Sequence, residues 1–94
     1  MNKVALSGVV LSVEPIRYTP AGLPLLSLVL QHASEVLEAG LQRKVNCEIN
    51  AVVIGDLANT PIAPNTQLQV QGFLAKRSAK STQLILHIQQ LKII

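Results

Sequence analysis

From Gln42 to Asn50 the chain alternates with a period of two: Gln42, Lys44, Asn46, Glu48 and Asn50 are polar, and Val45, Cys47 and Ile49 between them are apolar. Only Arg43 breaks the pattern. Successive side chains of an extended strand point to opposite faces, so this segment offers one face to water and one to a core. Strands wetted on one side belong to antiparallel sheets, because parallel sheets are covered on both faces. Cys47 falls on the apolar side and reads as a core residue, the usual fate of a free cysteine.

The rest of the chain repeats the theme. Residues 3–13 are β-branched and aliphatic without a helical stripe and read as a first strand, with Gly8 marking a bulge or sharp coil. Residues 14–24 hold three prolines and a glycine, and Pro20-Ala21-Gly22 has the order of a tight turn. Residues 25–33 form a second strand, and 34–41 read as a long polar hairpin loop stopped by Gly40. After the third strand, residues 52–66 lose the alternation and carry two prolines, which fits a short helix or turn. Residues 67–77 form a fourth strand, with Leu68, Val70 and Leu74 facing the core and Gln67, Gln69, Gln71, Phe73 and Ala75 facing out. A basic loop at 78–82 leads to a last strand over 83–93. Five strands with this spacing describe an all-β fold, a five-stranded antiparallel barrel of the OB type, which removes exposed edges by closing the sheet.

Ninety-four residues suit a single domain, 1–94. The chain is 49% hydrophobic but only 2% aromatic, so the core is built from aliphatic side chains. A domain of this size buries only roughly 60–65% of its unfolded surface, and the apolar surplus points to a self-association interface. No apolar run reaches the roughly 18 residues of a membrane span, and the first residues are too short and strand-like for a signal peptide. The lone Cys47 forbids an intrachain disulfide, and a cytoplasmic protein without a membrane partner is expected.

Charge is unevenly placed. All five acids lie in residues 1–56, whereas residues 57–94 carry none and hold Lys76, Arg77, Lys80 and Lys92. Such asymmetry points to a polyanion or an acidic partner. Catalysis is not expected, because no base and orienter are spaced for a triad and no glycine-rich phosphate loop occurs. Cys47, His32 and His87 lack paired metal-ligand spacing, and no cofactor is implied. His87, on the outward alternation of the last strand, reads as half exposed, with a phosphate contact as the alternative. Phe73, by contrast, is a large apolar ring on a glutamine-lined face, and an aromatic on a wet sheet can stack on any base. With Lys76, Arg77 and Lys80 following it, a nucleic-acid track is expected, extended by Arg17 and Tyr18 in the first loop and by Lys44 on the third strand. Tyr18 and Phe73 are the only aromatics, so binding should be weak, salt-sensitive and indifferent to sequence.

Lys3-Val4-Ala5-Leu6-Ser7-Gly8, followed by Pro15-Ile16-Arg17-Tyr18-Thr19-Pro20-Ala21-Gly22-Leu23-Pro24, resembles the opening of bacterial single-stranded-DNA-binding proteins. Glu38-Ala39-Gly40, Asn46-Cys47-Glu48, Val70-Gln71-Gly72-Phe73 and Leu86-His87-Ile88 look closer to their primosomal relatives, the PriB family, across essentially the whole chain. The resemblance implies a dimeric OB-fold that binds single-stranded DNA as an accessory factor of the primosome. Its implied partners are the PriA helicase and other primosome proteins in replication restart. It assigns Arg17 to a basic contact in the first loop, Phe73 to an aromatic on the fourth strand, and Lys76, Arg77 and Lys80 to the basic loop. The chain departs from the family at Asn46, where tryptophan is expected, at Leu41, where an aromatic is expected, and at Ala33, where a base is expected. Its last hairpin loop is shorter. It also stops at Leu91-Lys92-Ile93-Ile94 without the linker and acidic tip of the longer relatives, so recruitment through such a tail is not expected. The alternative is an OB-fold interaction module whose basic hairpin docks on a replication partner without touching DNA.

Overall fold

The alternation at residues 42–50 sits inside a longer strand. A computed structural model describes residues 1–94 as six strands: β1 (Val4–Val13), β2 (Arg17–Tyr18), β3 (Pro24–Glu38), β4 (Leu41–Ile54), β5 (Gln67–Lys76) and β6 (Leu84–Ile93). A single 3-10 turn, Asp56–Asn59, follows β4. The sheet runs β1-β5-β6-β4-β3-β2, and β1 also pairs with β3, which closes five strands into a barrel and leaves the two-residue β2 outside. All pairings are antiparallel except β4–β6, a parallel contact of two residue pairs, Ala51 with Leu86 and Val52 with His87.

The segment read as a long loop, residues 34–41, is not one. β3 and β4 stay in register from Leu25–Ile54 out to Glu38–Leu41, forming a hairpin arm. Only Ala39 and Gly40 turn, at φ 53° and 79°. Two consecutive positive φ values give the mirror-image turn whose twist matches the flanking strands. Polar residues hid the arm from sequence reasoning because neither of its faces lies on the core. Its charges compensate within the arm: Arg43 Nη1 donates to Glu38 Oε1 at 2.9 Å, and Glu35 stands opposite Lys44. The arm stretches the molecule to 48 Å, and the radius of gyration is 14.1 Å. A compact chain of this length would give about 12.4 Å.

The core is aliphatic: Val10, Leu26, Leu28, Leu30, Ala51, Val53, Ala58, Leu68, Val70, Leu86 and Ile88. Burial along β3 ends at Leu30, which pairs with Ile49 on β4. Cys47, one step further along the same face opposite His32, is exposed and not the core residue expected, because the arm has left the barrel there. Leu74 faces inward as expected but lies at the barrel rim and stays 37% exposed. The bulge expected at Gly8 lies instead between Val10 and Ser12, where the β1–β3 register shifts. Gly8 serves a close approach: a Cβ there would lie 2.9 Å from the Gln31 carbonyl oxygen of β3. Gly72 is tighter, since a Cβ there would sit 1.8 Å from the His87 carbonyl oxygen. A second register shift, with Gln71 opposite Gln90 and Gly72 opposite Ile88, leaves Gln89 as the extra residue of β6.

Candidate nucleic-acid interface

Strand registers line up outward-facing side chains into rows that cross the barrel. Phe73 of β5 is opposite His87 of β6, His87 is beside Val52 of β4, and Val52 is opposite Ser27 of β3. The Phe73 and His87 rings are stacked, with centroids 4.8 Å apart and planes 10° from parallel. Both are half-buried, which matches the outward half-exposure expected of His87. Val52 points outward yet is only 8% exposed, an apolar floor between taller neighbours. At the far end of the row Arg17 Nη2 donates to Ser27 Oγ at 3.5 Å.

Arg17 is held there by the turn before β3. Gly22 N donates to Thr19 O at 2.8 Å and Leu23 N donates to Thr19 Oγ1 at 3.1 Å, with Gly22 at φ 83°. Glycine fits this position because other residues rarely adopt such a φ. The turn pairs β2 back on β3, Arg17 against Leu25 and Tyr18 against Pro24. Tyr18 is 70% exposed.

Arg77 stands two rows further along, four residues past Phe73 and opposite Gln83. It borders a shallow depression lined by Ser12, Glu14, Ser27, Asn50 and Ile85, and Arg17, far from it in sequence, reaches the Ser27 of that lining. Glu14 is the one acid in this depression. Arg77 N donates to Gln83 O at 3.0 Å, which closes the β5–β6 hairpin, and Ser81 N donates to Ser78 O at 3.1 Å within its tip. Lys76 and Lys80 are exposed on the same hairpin, although strand alternation turns Lys76 away from the Phe73 side. Lys44 is not brought to this cluster. It lies on the arm eight residues from Val52, a span of about 26 Å along a strand, with Glu35 opposite. The structure's one ion pair is Arg43–Glu38, so Arg17, Lys76, Arg77 and Lys80 are left without one.

Sequence reasoning passed over His87 as a partner of Phe73. Its outward position is legible, but its pairing is set by the β5–β6 hairpin, whose register runs unbroken from Lys76–Leu84 to Gly72–Ile88 and leaves no mark in the residue pattern. No three His, Cys, Asp or Glu side chains cluster as a metal site would require. No helix is long and apolar enough to cross a membrane.

A sequence model described as "Another single-strand binding protein family" matches residues 2–90. The chain is 49% identical to the replication restart protein PriB of Bordetella pertussis, covering 100% of this chain and 90% of that protein. It is 37% identical to the PriB of Nitrosomonas europaea over 99% of this chain and 88% of that one. Among solved structures, the priB protein of Ralstonia solanacearum superposes with a TM-score of 0.89 at 34% identity, covering 100% of this chain and 99% of that one. The single-stranded DNA binding protein of Thermus aquaticus shares the fold, with a TM-score of 0.79 at 22% identity over all of this chain and 50% of that one.

Proposed function

This chain belongs to the single-strand binding protein family and is a homologue of the PriB replication restart proteins, and on that premise we propose that it is an accessory single-stranded-DNA-binding protein of the primosome. The observation that supports this most is that Arg17 bonds to Ser27, at the end of the row that carries the outward Phe73, and that Ser27 shares a depression with Arg77. A single strand crosses the outer face from the β5–β6 hairpin to β2. Arg17, Arg77, Lys76 and Lys80 take phosphates, and Phe73 and Tyr18 take bases. Lys44 extends the track onto the arm for a longer strand. With two aromatics in the chain, phosphate contacts dominate, so binding is weak and falls steeply with salt. The protein acts by binding in the cytoplasm, not by catalysis.

It works as a homodimer, which doubles the track. Only 13 of 94 residues are buried in the isolated chain, while Leu11, Leu84 and Ile93 among others stay exposed, so apolar surface is left over for a second copy. Its partners are the PriA helicase and other primosome proteins. One observation favours the second reading, a module that docks on a replication partner without holding DNA: Leu37 and Leu41 at the arm tip are 74% and 72% exposed.

Fluorescence anisotropy of a labelled oligo-dT strand at two salt concentrations separates the two. Binding at low salt that weakens as salt rises supports the DNA reading. No binding at low salt, together with retention of PriA on the immobilised protein, establishes the docking module instead.

A further inference from the structure

The row containing Phe73 continues past β5 to the N-terminal residues. Val4 is opposite Gly72, and two residues earlier Asn2 clasps the same strand: its Nδ2 donates to Leu74 O at 2.7 Å and its Oδ1 accepts from Leu74 N at 2.9 Å. Lys3 lies between these anchors, level with Phe73. Val4 packs against the core, so Lys3 alternates outward, and it is exposed without an ion pair. The order across the outer face is thus Lys3, Phe73, His87, Val52.

This order decides which ring face is free. The His87 ring occupies the side of Phe73 toward β6, and His87 is itself followed by the covered Val52. The remaining face of Phe73 looks toward β1 and Lys3. The 4.8 Å between centroids matches the spacing of neighbouring strands, so the two rings stand side by side on the sheet instead of lying flat. An unsupported phenylalanine on a wet sheet would swing among rotamers and lose entropy on meeting a base. His87 removes that freedom beforehand.

We propose that Lys3, Phe73 and His87 form one nucleotide subsite, in which a base stacks on the β1-facing side of Phe73, the adjoining phosphate meets Lys3, and His87 is a positioning residue that backs the Phe73 ring. This rests on the single-strand-binding reading and assigns two residues to it, Lys3 and His87. Asn2 belongs to the subsite as the clasp that holds Lys3 at that height.

The test is a titration of labelled oligo-dT and of an abasic strand of equal length, with the wild type, Lys3→Ala, His87→Ala and His87→Phe. Lys3→Ala weakens both strands alike and reduces the salt slope by about 0.7, the share of one single-strand phosphate. His87→Ala weakens oligo-dT by about 2- to 10-fold, the worth of an aromatic pair, and leaves the abasic strand unchanged. His87→Phe restores oligo-dT binding to within about twofold of the wild type, because a ring again backs Phe73. A wild type that binds normally, with Lys3→Ala and His87→Ala indistinguishable from it, overturns the subsite alone. Failure of the wild type to bind either strand overturns the single-strand reading and the subsite with it.

Discussion

Neutralising the β5–β6 hairpin should change how binding depends on salt more than it changes any other property. Lys76, Arg77 and Lys80 are exposed, lie in and beside one short turn, and form no ion pair. Each phosphate neutralised on a single strand contributes about 0.7 to the slope of log affinity against log salt, so removing all three cations flattens that slope by about 2.1. Between 50 and 200 mM salt, a fourfold range, the wild type therefore loses about 18-fold more affinity than Lys76→Ala/Arg77→Ala/Lys80→Ala. The difference does not depend on how many other phosphates the protein holds, because those contacts contribute equally to both. Anisotropy titrations of labelled oligo-dT at four salt concentrations measure both slopes directly. Thermal melting provides the control, since exposed side chains of a loop contribute little to stability. A triple variant whose slope lies within 0.5 of the wild type would refute the assignment of phosphates to this hairpin, whatever its affinity at one salt concentration.

Three further outcomes concern the fold that carries the site. Gly72→Ala places a Cβ 1.8 Å from the His87 carbonyl oxygen, so β5 and β6 must part. We expect a loss of about 3 kcal/mol and a melting temperature lowered by about 12 °C or more; an unchanged melt would contradict the close approach. Ala39→Gly relieves a side chain held at φ 53° and should stabilise by about 0.5 kcal/mol after the entropy of glycine is counted, and a destabilised variant in urea titrations would show that the turn is built differently. Leu30→Ala empties a fully buried position and should cost about 2–5 kcal/mol by the same titrations, a large share of the stability of a small domain; a cost below about 1 kcal/mol would put Leu30 outside the core.

The parts of this fold that the sequence announces are those where one face is wet and the other dry. The expected strands over 3–13, 25–33, 42–50, 67–77 and 83–93 all lie on strands of the barrel, because burial imposes period two there. The arm is illegible for the opposite reason: from Ser34 to Lys44 most positions on both faces meet solvent, and alternation conveys nothing when neither side is buried. Cys47 is exposed where the pattern predicts burial because its strand keeps its apolar parity beyond the point where the core ends. The family resemblance directed attention to Arg17, Phe73 and the basic hairpin. Only the register, through the β5–β6 hairpin and the Asn2 clasp, brings His87 and Lys3 beside Phe73.

The parallel contact between β4 and β6 holds the barrel shut with two residue pairs, whereas β3 and β4 remain paired along their whole arm. That parallel seam joins segments whose connecting chain runs through the 3-10 turn and all of β5, so closing it carries a large loop entropy for few pairs. Amide hydrogens along it should exchange through the least costly local opening of the barrel, well below the cost of global unfolding. His87 belongs to that seam. A strand of DNA held against its ring would add its binding free energy to the closed form, so slower exchange at β6 in the presence of oligo-dT would report occupancy of the outer face from the inside of the fold.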